Sequence, residues 1–207
     1  MEQNHSLELI GGRLMKVGTS LKNISNGAAC RPVLVLDNSG SMSDYISFEQ
    51  VNVNADGQQN RKIDELRRLV QKLRQEADFE QLVFNTSPEF TEAIADPTGG
   101  TGLHLALKLI IAERPRTRRI VLITDGYPDN PSLALAIAKR LPCPLDVFYV
   151  GLATDIAGQA FLRNLADAAK GQYGQMDLGT GFAALQEKVR LALNPMPEKA
   201  REMGGEK

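Results

Sequence analysis

Pro32-Val33-Leu34-Val35-Leu36-Asp37-Asn38-Ser39-Gly40-Ser41-Met42-Ser43 is the stretch that decides the fold. Four consecutive apolar residues, two of them β-branched, run without alternation into a polar Gly/Ser segment. A strand with one wet face alternates apolar and polar residues, whereas an unbroken apolar run suits a strand covered on both faces, as in a parallel sheet. Segments of similar length and flanks recur at Phe79–Phe84, Ile120–Thr124, Leu145–Val150 and Gln172–Met176. A more polar segment, Glu89–Ala95, follows its predecessor after only Asn85-Thr86-Ser87-Pro88. A parallel crossover needs a dozen residues or more, so this segment is expected to be an antiparallel strand at the sheet edge.

Between the strands lie stretches of helical period. Ile63, Leu66, Val70, Leu73 and Ala77 recur at spacings of three and four with Arg and Lys opposite, which predicts an amphipathic helix over 61–77. Gly102–Glu113, Ser132–Leu141, Ile156–Lys170 and Thr180–Leu193 complete the set, with Pro131-Ser132 and Gly179-Thr180 as starts and Gly171 as a stop. The fold class is thus α/β: a doubly wound, Rossmann-like, mostly parallel six-stranded sheet with one antiparallel edge strand and helices on both faces. Right-handed crossovers give the strand order 3-2-1-4-5-6, which sets the first strand beside the fourth and opens the ligand crevice between their carboxyl ends. The main domain is expected over 31–194, preceded by an extension over 1–30 whose SLELI-GG-RLMKVG segment reads as a β-hairpin, and followed by a mobile polar tail over 195–207.

With 207 residues the chain is long enough for one core of its own. Twenty-four Lys and Arg against 25 Asp and Glu leave a formal charge of −1, which provides no field for nucleic acid or an anionic membrane. The two cysteines, Cys30 and Cys143, form no CxxC pair, so zinc ribbons and disulfide scaffolds are excluded and both read as buried or incidental thiols. The first sixteen residues lack the basic start and apolar stretch of a signal peptide, and the apolar runs are short, which together predict a cytoplasmic, non-membrane protein.

At the crevice the first strand delivers Asp37, Ser39 and Ser41, alternate residues that an extended loop points to one side. The fourth strand delivers Asp125 in Thr124-Asp125-Gly126, and the loop Thr98-Gly99-Gly100-Thr101-Gly102 adds the hydroxyl of Thr101. Five oxygen-bearing side chains without sulfur or imidazole suit a hard cation of the Mg²⁺ or Mn²⁺ kind, with Ca²⁺ a further candidate.

The run Val33-Leu-Val-Leu-Asp37-Asn-Ser39-Gly-Ser41-Met, followed by Gly-Gly-Thr101-Gly-Leu-His-Leu-Ala106-Leu and Val121-Leu-Ile-Thr-Asp125-Gly, resembles the von Willebrand factor type A (vWA) domain with a complete metal-ion-dependent adhesion site. The resemblance covers about residues 31–194 and is to bacterial-type, intracellular, stand-alone members. It implies that Ser39, Ser41 and Thr101 ligate the cation directly and that Asp37 and Asp125 act mostly through bound water. It further implies a non-enzymatic adaptor that grips an Asp or Glu of a protein partner, an AAA-type ATPase or a kinase/phosphatase system being the partner classes it suggests.

Other chemistries fit less well. A serine hydrolase needs a base, and the chain offers only His5 and His104, the latter expected to be a surface or satisfied histidine. A phosphate loop needs G-x-x-x-x-G-K-[ST], which the glycine loop at 98–102 lacks. The rivals to a binding module are a metal-dependent enzyme acting on a phosphorylated substrate and a structural subunit with a vestigial site. Two further segments stand out. Residues 44–59 are a long connection in which Tyr45, Ile46, Phe48, Val51 and Val53 are apolar, expected to pack on the domain or face a partner. Arg114, Arg116, Arg118 and Arg119 are expected in a solvated loop at the opposite sheet edge.

Overall fold

The unbroken apolar run becomes the central strand β3 (Val33–Asp37), every residue of which is buried. The structure, a computed structural model, describes residues 7–10, 13–16, 30–46, 60–176 and 182–194. In chain order its elements are β1 (Leu7–Ile10), β2 (Arg13–Lys16), β3, α1 (Lys62–Glu76), β4 (Glu80–Phe84), β5 (Glu89–Phe90), α2 (Leu103–Glu113), β6 (Ile120–Thr124), α3 (Pro131–Ala138), β7 (Leu145–Tyr149), α4 (Ile156–Ala168), β8 (Tyr173–Gln175) and α5 (Phe182–Leu193). The six-stranded sheet has the order β5-β4-β3-β6-β7-β8, parallel throughout except for β5, which runs antiparallel to β4. This is the doubly wound order expected, with β3 beside β6.

The period of two along each strand divides the core. Val33 and Val35, with Ile120 and Leu122 of β6, face a cluster completed by Leu103, Ala106, Leu107 and Ile110 of α2, Ala134 of α3 and Leu162 and Leu165 of α4. Leu34 and Leu36, with Val121 and Ile123, face the other cluster, completed by Ile63, Leu66, Leu69, Val70 and Leu73 of α1 and Leu185, Val189 and Leu193 of α5. Asn130 caps α3 by accepting from Leu133 N at 3.1 Å, with Pro131 at the first helical position, where its missing N–H costs nothing.

Several boundaries differ from expectation. The edge strand is two residues long, not seven. After Thr91, whose N–H still reaches Gln81 O, side chains replace the ladder and Gln81 Nε2 donates to Glu92 O at 3.3 Å. The end of α4 is a Schellman turn: Gly171 N donates to Ala166 O and Lys170 N to Asp167 O, with Lys170 itself at φ 56°. Gly171 is glycine for another reason, since a β-carbon there would lie 1.8 Å from Leu145 O. The arginine segment is less solvated than expected: Arg119 pairs with buried Asp146 at 2.6 Å, Arg114 pairs with Glu80 over the Phe90 ring, and Arg118 donates to Leu193 O. Of the two thiols, Cys30 is exposed rather than buried. Cys143 is half-buried, and that burial pushes it up to about 11.

The N-terminal hairpin forms a two-stranded antiparallel sheet of its own, Leu7 opposite Lys16. The expected tail, the Gly179-Thr180 start and the apolar residues Phe48, Val51 and Val53 lie outside the described residues. The ends of the 44–59 connection are joined in a neck, where Tyr45 bridges Arg61, Ile46 N donates to Asn60 O at 3.1 Å and Lys62 N to Asp44 O at 3.0 Å. No helix among the described residues is long and apolar enough to cross a membrane.

Candidate metal centre

Asp37 is the last residue of β3, and the chain turns immediately after it. Its Oδ1 accepts from Ser39 N at 2.8 Å, an Asx-type closure that bends the chain into the 3₁₀ turn Gly40–Ser43. Its Oδ2 accepts from Thr124 Oγ1 at 2.5 Å, tying the end of β3 to the end of β6. Asn38 is held on its backbone from two sides: its N–H reaches Phe84 O at 2.7 Å, and its carbonyl accepts from Thr98 N at 3.1 Å. Gly40 N donates to Gly99 O at 3.0 Å, so the glycine loop that brings Thr101 is anchored directly to the turn that brings Ser39 and Ser41. Gly99 occupies φ 72°, a left-handed conformation that disfavours other residues.

The five predicted residues converge. Ser39 Oγ and Ser41 Oγ are 3.2 Å apart, and Ser41 Oγ donates to Asp125 Oδ1 at 2.7 Å. A β-carbon at Gly126 would lie 3.8 Å from Ser41 Oγ and 3.9 Å from Thr101 Oγ1, so both hydroxyls border the same point beside Gly126. Asp37, Ser39, Thr101 and Asp125 are all buried. Burial pushes Asp37 up to about 6, against the hydrogen bonds from Ser39 and Thr124, and the charge of Asp125 adds to the rise.

The donor chemistry fits a hard cation: three hydroxyls and two carboxylates meet, and buried Asn38 Oδ1, beside them in the chain, has no hydrogen-bond partner among the described residues. No group of three or more His, Cys, Asp or Glu suited to a metal occurs among the described residues, so a cation here would rest on hydroxyls. The hydroxyls neutralise none of a dication's charge, which falls to Asp37 and Asp125 alone.

Two residues escaped the sequence reading. Thr124 was visible only as the residue before Asp125, yet its hydroxyl is what fixes Asp37. Lys62 is not singled out by the helical pattern of α1, but its Nζ lies 2.6 Å from Asp125 Oδ2 and 3.3 Å from Ser41 O. The signal for it was present, since a cation at a helix's first residue opposes the macrodipole and calls for a partner. His104 stands half-buried in the first turn of α2, with Nδ1 buried and unpartnered among the described residues.

The fold is that of a vWA-like α/β domain. Solved structures with this fold include a von Willebrand factor type A protein from Catenulispora acidiphila (15% identity, TM-score 0.57, covering 78% of this chain and 42% of that one). Proximal thread matrix protein 1 from the mussel byssus, in a form whose metal-ion-dependent adhesion site holds zinc, matches at 14% identity and TM-score 0.51, covering 77% of this chain and 44% of that one. The vWF domain of the type V pili tip protein Mfa5 from Porphyromonas gingivalis matches at 11% identity and TM-score 0.50, covering 81% of this chain and 97% of that domain. The chain thus spans less than half the length of the first two. No family model and no curated protein matches the sequence.

Proposed function

We propose that the chain is a divalent-cation-dependent protein-binding module, a cytoplasmic adaptor that grips a partner's Asp or Glu through a metal-ion-dependent adhesion site loaded with Mg²⁺ or Mn²⁺. The observation behind this reading is the meeting of the Ser39, Ser41 and Thr101 hydroxyls with Asp37 and Asp125 at one point of the sheet edge. Asp37, Ser39, Ser41, Thr101 and Asp125 would hold the cation, which would supply an open coordination position to a carboxylate. The surroundings favour a macromolecular ligand. Tyr45, Tyr127, Leu152 and Ile156 are large, apolar and exposed, and all follow the carboxyl ends of the adjacent strands β3, β6 and β7. The reading assigns no reaction to the module, because both carboxylates are engaged, Asp37 by Thr124 and Ser39 and Asp125 by Ser41 and Lys62. An AAA-type ATPase or a kinase/phosphatase system is the proposed class of partner.

Calorimetric titration with Mn²⁺ tests the metal, and retention of partner on the immobilised chain with cation or with chelator tests the binding. The wild type should bind Mn²⁺ and Asp37→Ala should lose at least tenfold in affinity. Equal affinity in the two chains would sink the assignment.

A further inference from the structure

Lys62 is the one charged side chain of α1 that turns into the site. It is the helix's first residue, where the unpaired backbone N–H groups carry positive partial charge, and Asp64 and Glu65 obey the usual rule by placing acids in that turn. A lysine there is electrostatically misplaced unless something compensates. Its side chain is 11% exposed, and its compensation is Asp125, whose side chain is fully buried and 2.6 Å away, with Ser41 O at 3.3 Å and Asp44 Oδ2 at 3.5 Å. The ammonium is held there by backbone as well as by charge: Lys62 N donates to Asp44 O, and the Tyr45–Arg61 bridge pins the helix start to the chain leaving the 3₁₀ turn.

Asp125 is thus claimed twice, by the candidate cation and by Lys62, which also sits on the backbone carbonyl of Ser41, the residue whose hydroxyl is a candidate ligand. We propose that Lys62 is a built-in counter-cation of this site, which holds Asp125 in the metal-free chain, lowers the affinity for the divalent cation and leaves the loaded site with a surplus positive charge for the partner's carboxylate. The inference rests on the metal-dependent reading above. Two routes lead to the same sign. If the ammonium keeps its place, it repels the dication across a poorly solvated gap; if it gives way, its attraction to Asp125 must first be overcome. The charge inventory gives the second half of the proposal. Two ionised aspartates alone would cancel a dication, whereas with Lys62 present one positive charge remains. Lys62 therefore moves binding energy from the cation to the incoming anion, and cation and carboxylate bind cooperatively.

The alternative is that Lys62 is a strut that merely positions Asp125, in which case removing it weakens cation binding. Mn²⁺ titration of the full chain by calorimetry separates the two, using wild type, Lys62→Met and Lys62→Gln, with thermal unfolding in chelator as the check on folding. Lys62→Gln, which keeps a donor toward Asp125, serves if the methionine variant does not unfold cooperatively. Affinity at least tenfold tighter than wild type, about 1.4 kcal/mol, is the expected result. A wild type that binds while the variants bind equally or more weakly overturns the role of Lys62 alone. Absence of binding in all three chains overturns the metal-dependent reading and this inference with it.

Discussion

Asp37 is both the hinge of the β3 turn and its most strained electrostatic element, because a fully buried carboxylate with a second carboxylate nearby resists ionisation. With its folded value about 6 against an ordinary 3.8, the native state takes up a proton before the unfolded chain does. The resulting stabilisation is complete below the ordinary carboxylate range and disappears as pH rises through 6, roughly 3 kcal/mol in all. About 1 kcal/mol of it should appear between about pH 7.5 and about pH 5, a window above the range where Asp64, Asp96 and Glu187, all held low by arginine partners, begin to titrate. Urea unfolding of the chelator-treated chain at these two pH values checks this, and Asp37→Asn should abolish the difference. A cation that recruits the ionised carboxylate must displace that proton, so Mn²⁺ affinity should fall below pH 6. At this scale the sequence supplied the donors and missed what tunes them. Asp37, Ser39 and Ser41 announce themselves by spacing, but the contacts of Thr124 and Lys62 span 87 and 63 residues and no local pattern encodes them.

The central strands β3 and β6 were legible because a doubly covered strand leaves a continuous apolar run, which the half-exposed β8 lacks, and the amphipathic helix α1 because its stripe repeats at three and four. Boundaries were less so, and the end of α4 shows why. Glycine after Lys170 reads as the residue that adopts the left-handed cap, yet Lys170 takes that conformation while Gly171 provides clearance against β7. Both roles follow a glycine rule, and only the packing of Leu145 decides between them. Lys170→Gly should therefore stabilise the domain by about 1 kcal/mol, by removing the cost of a side chain at positive φ. Gly171→Ala should destabilise it severely, since the new β-carbon would sit inside the Leu145 carbonyl and force β7 and α4 apart. Thermal unfolding of the two single variants should show shifts of opposite sign. If Lys170→Gly lowered the midpoint, or Gly171→Ala left it unchanged, the assignment of these roles would fail.

For the molecule as a whole, the site stands on a scaffold that does not need it. The two apolar clusters flanking the sheet draw on strands β3, β4, β6 and β7 and on all five helices, while the candidate ligands occupy the turns at one sheet edge. Topology made this arrangement readable in advance, because right-handed crossovers from a central first strand leave only one crevice where carboxyl ends of neighbouring strands diverge. The apolar rim was less visible. Tyr127 and Leu152 lie in connections of ordinary length and Ile156 opens α4, and only the strand order shows that they share an edge with Asp125. Because the core closes without the ligands, removing metal should leave the far-ultraviolet circular dichroism spectrum and cooperative unfolding intact. Adding it should act by mass action alone: at a free concentration 100 times the dissociation constant, the native state gains about 2.7 kcal/mol. In a domain of this size that raises the midpoint by roughly 5–10 °C. Thermal scans with chelator and with Mn²⁺ measure the shift, and Asp37→Ala should show none. Loss of cooperative unfolding in chelator would mean instead that the cation is structural, as in domains that fold only around their metal, and that the neck joining Tyr45 to Arg61 and the Gly40–Gly99 tie depend on it.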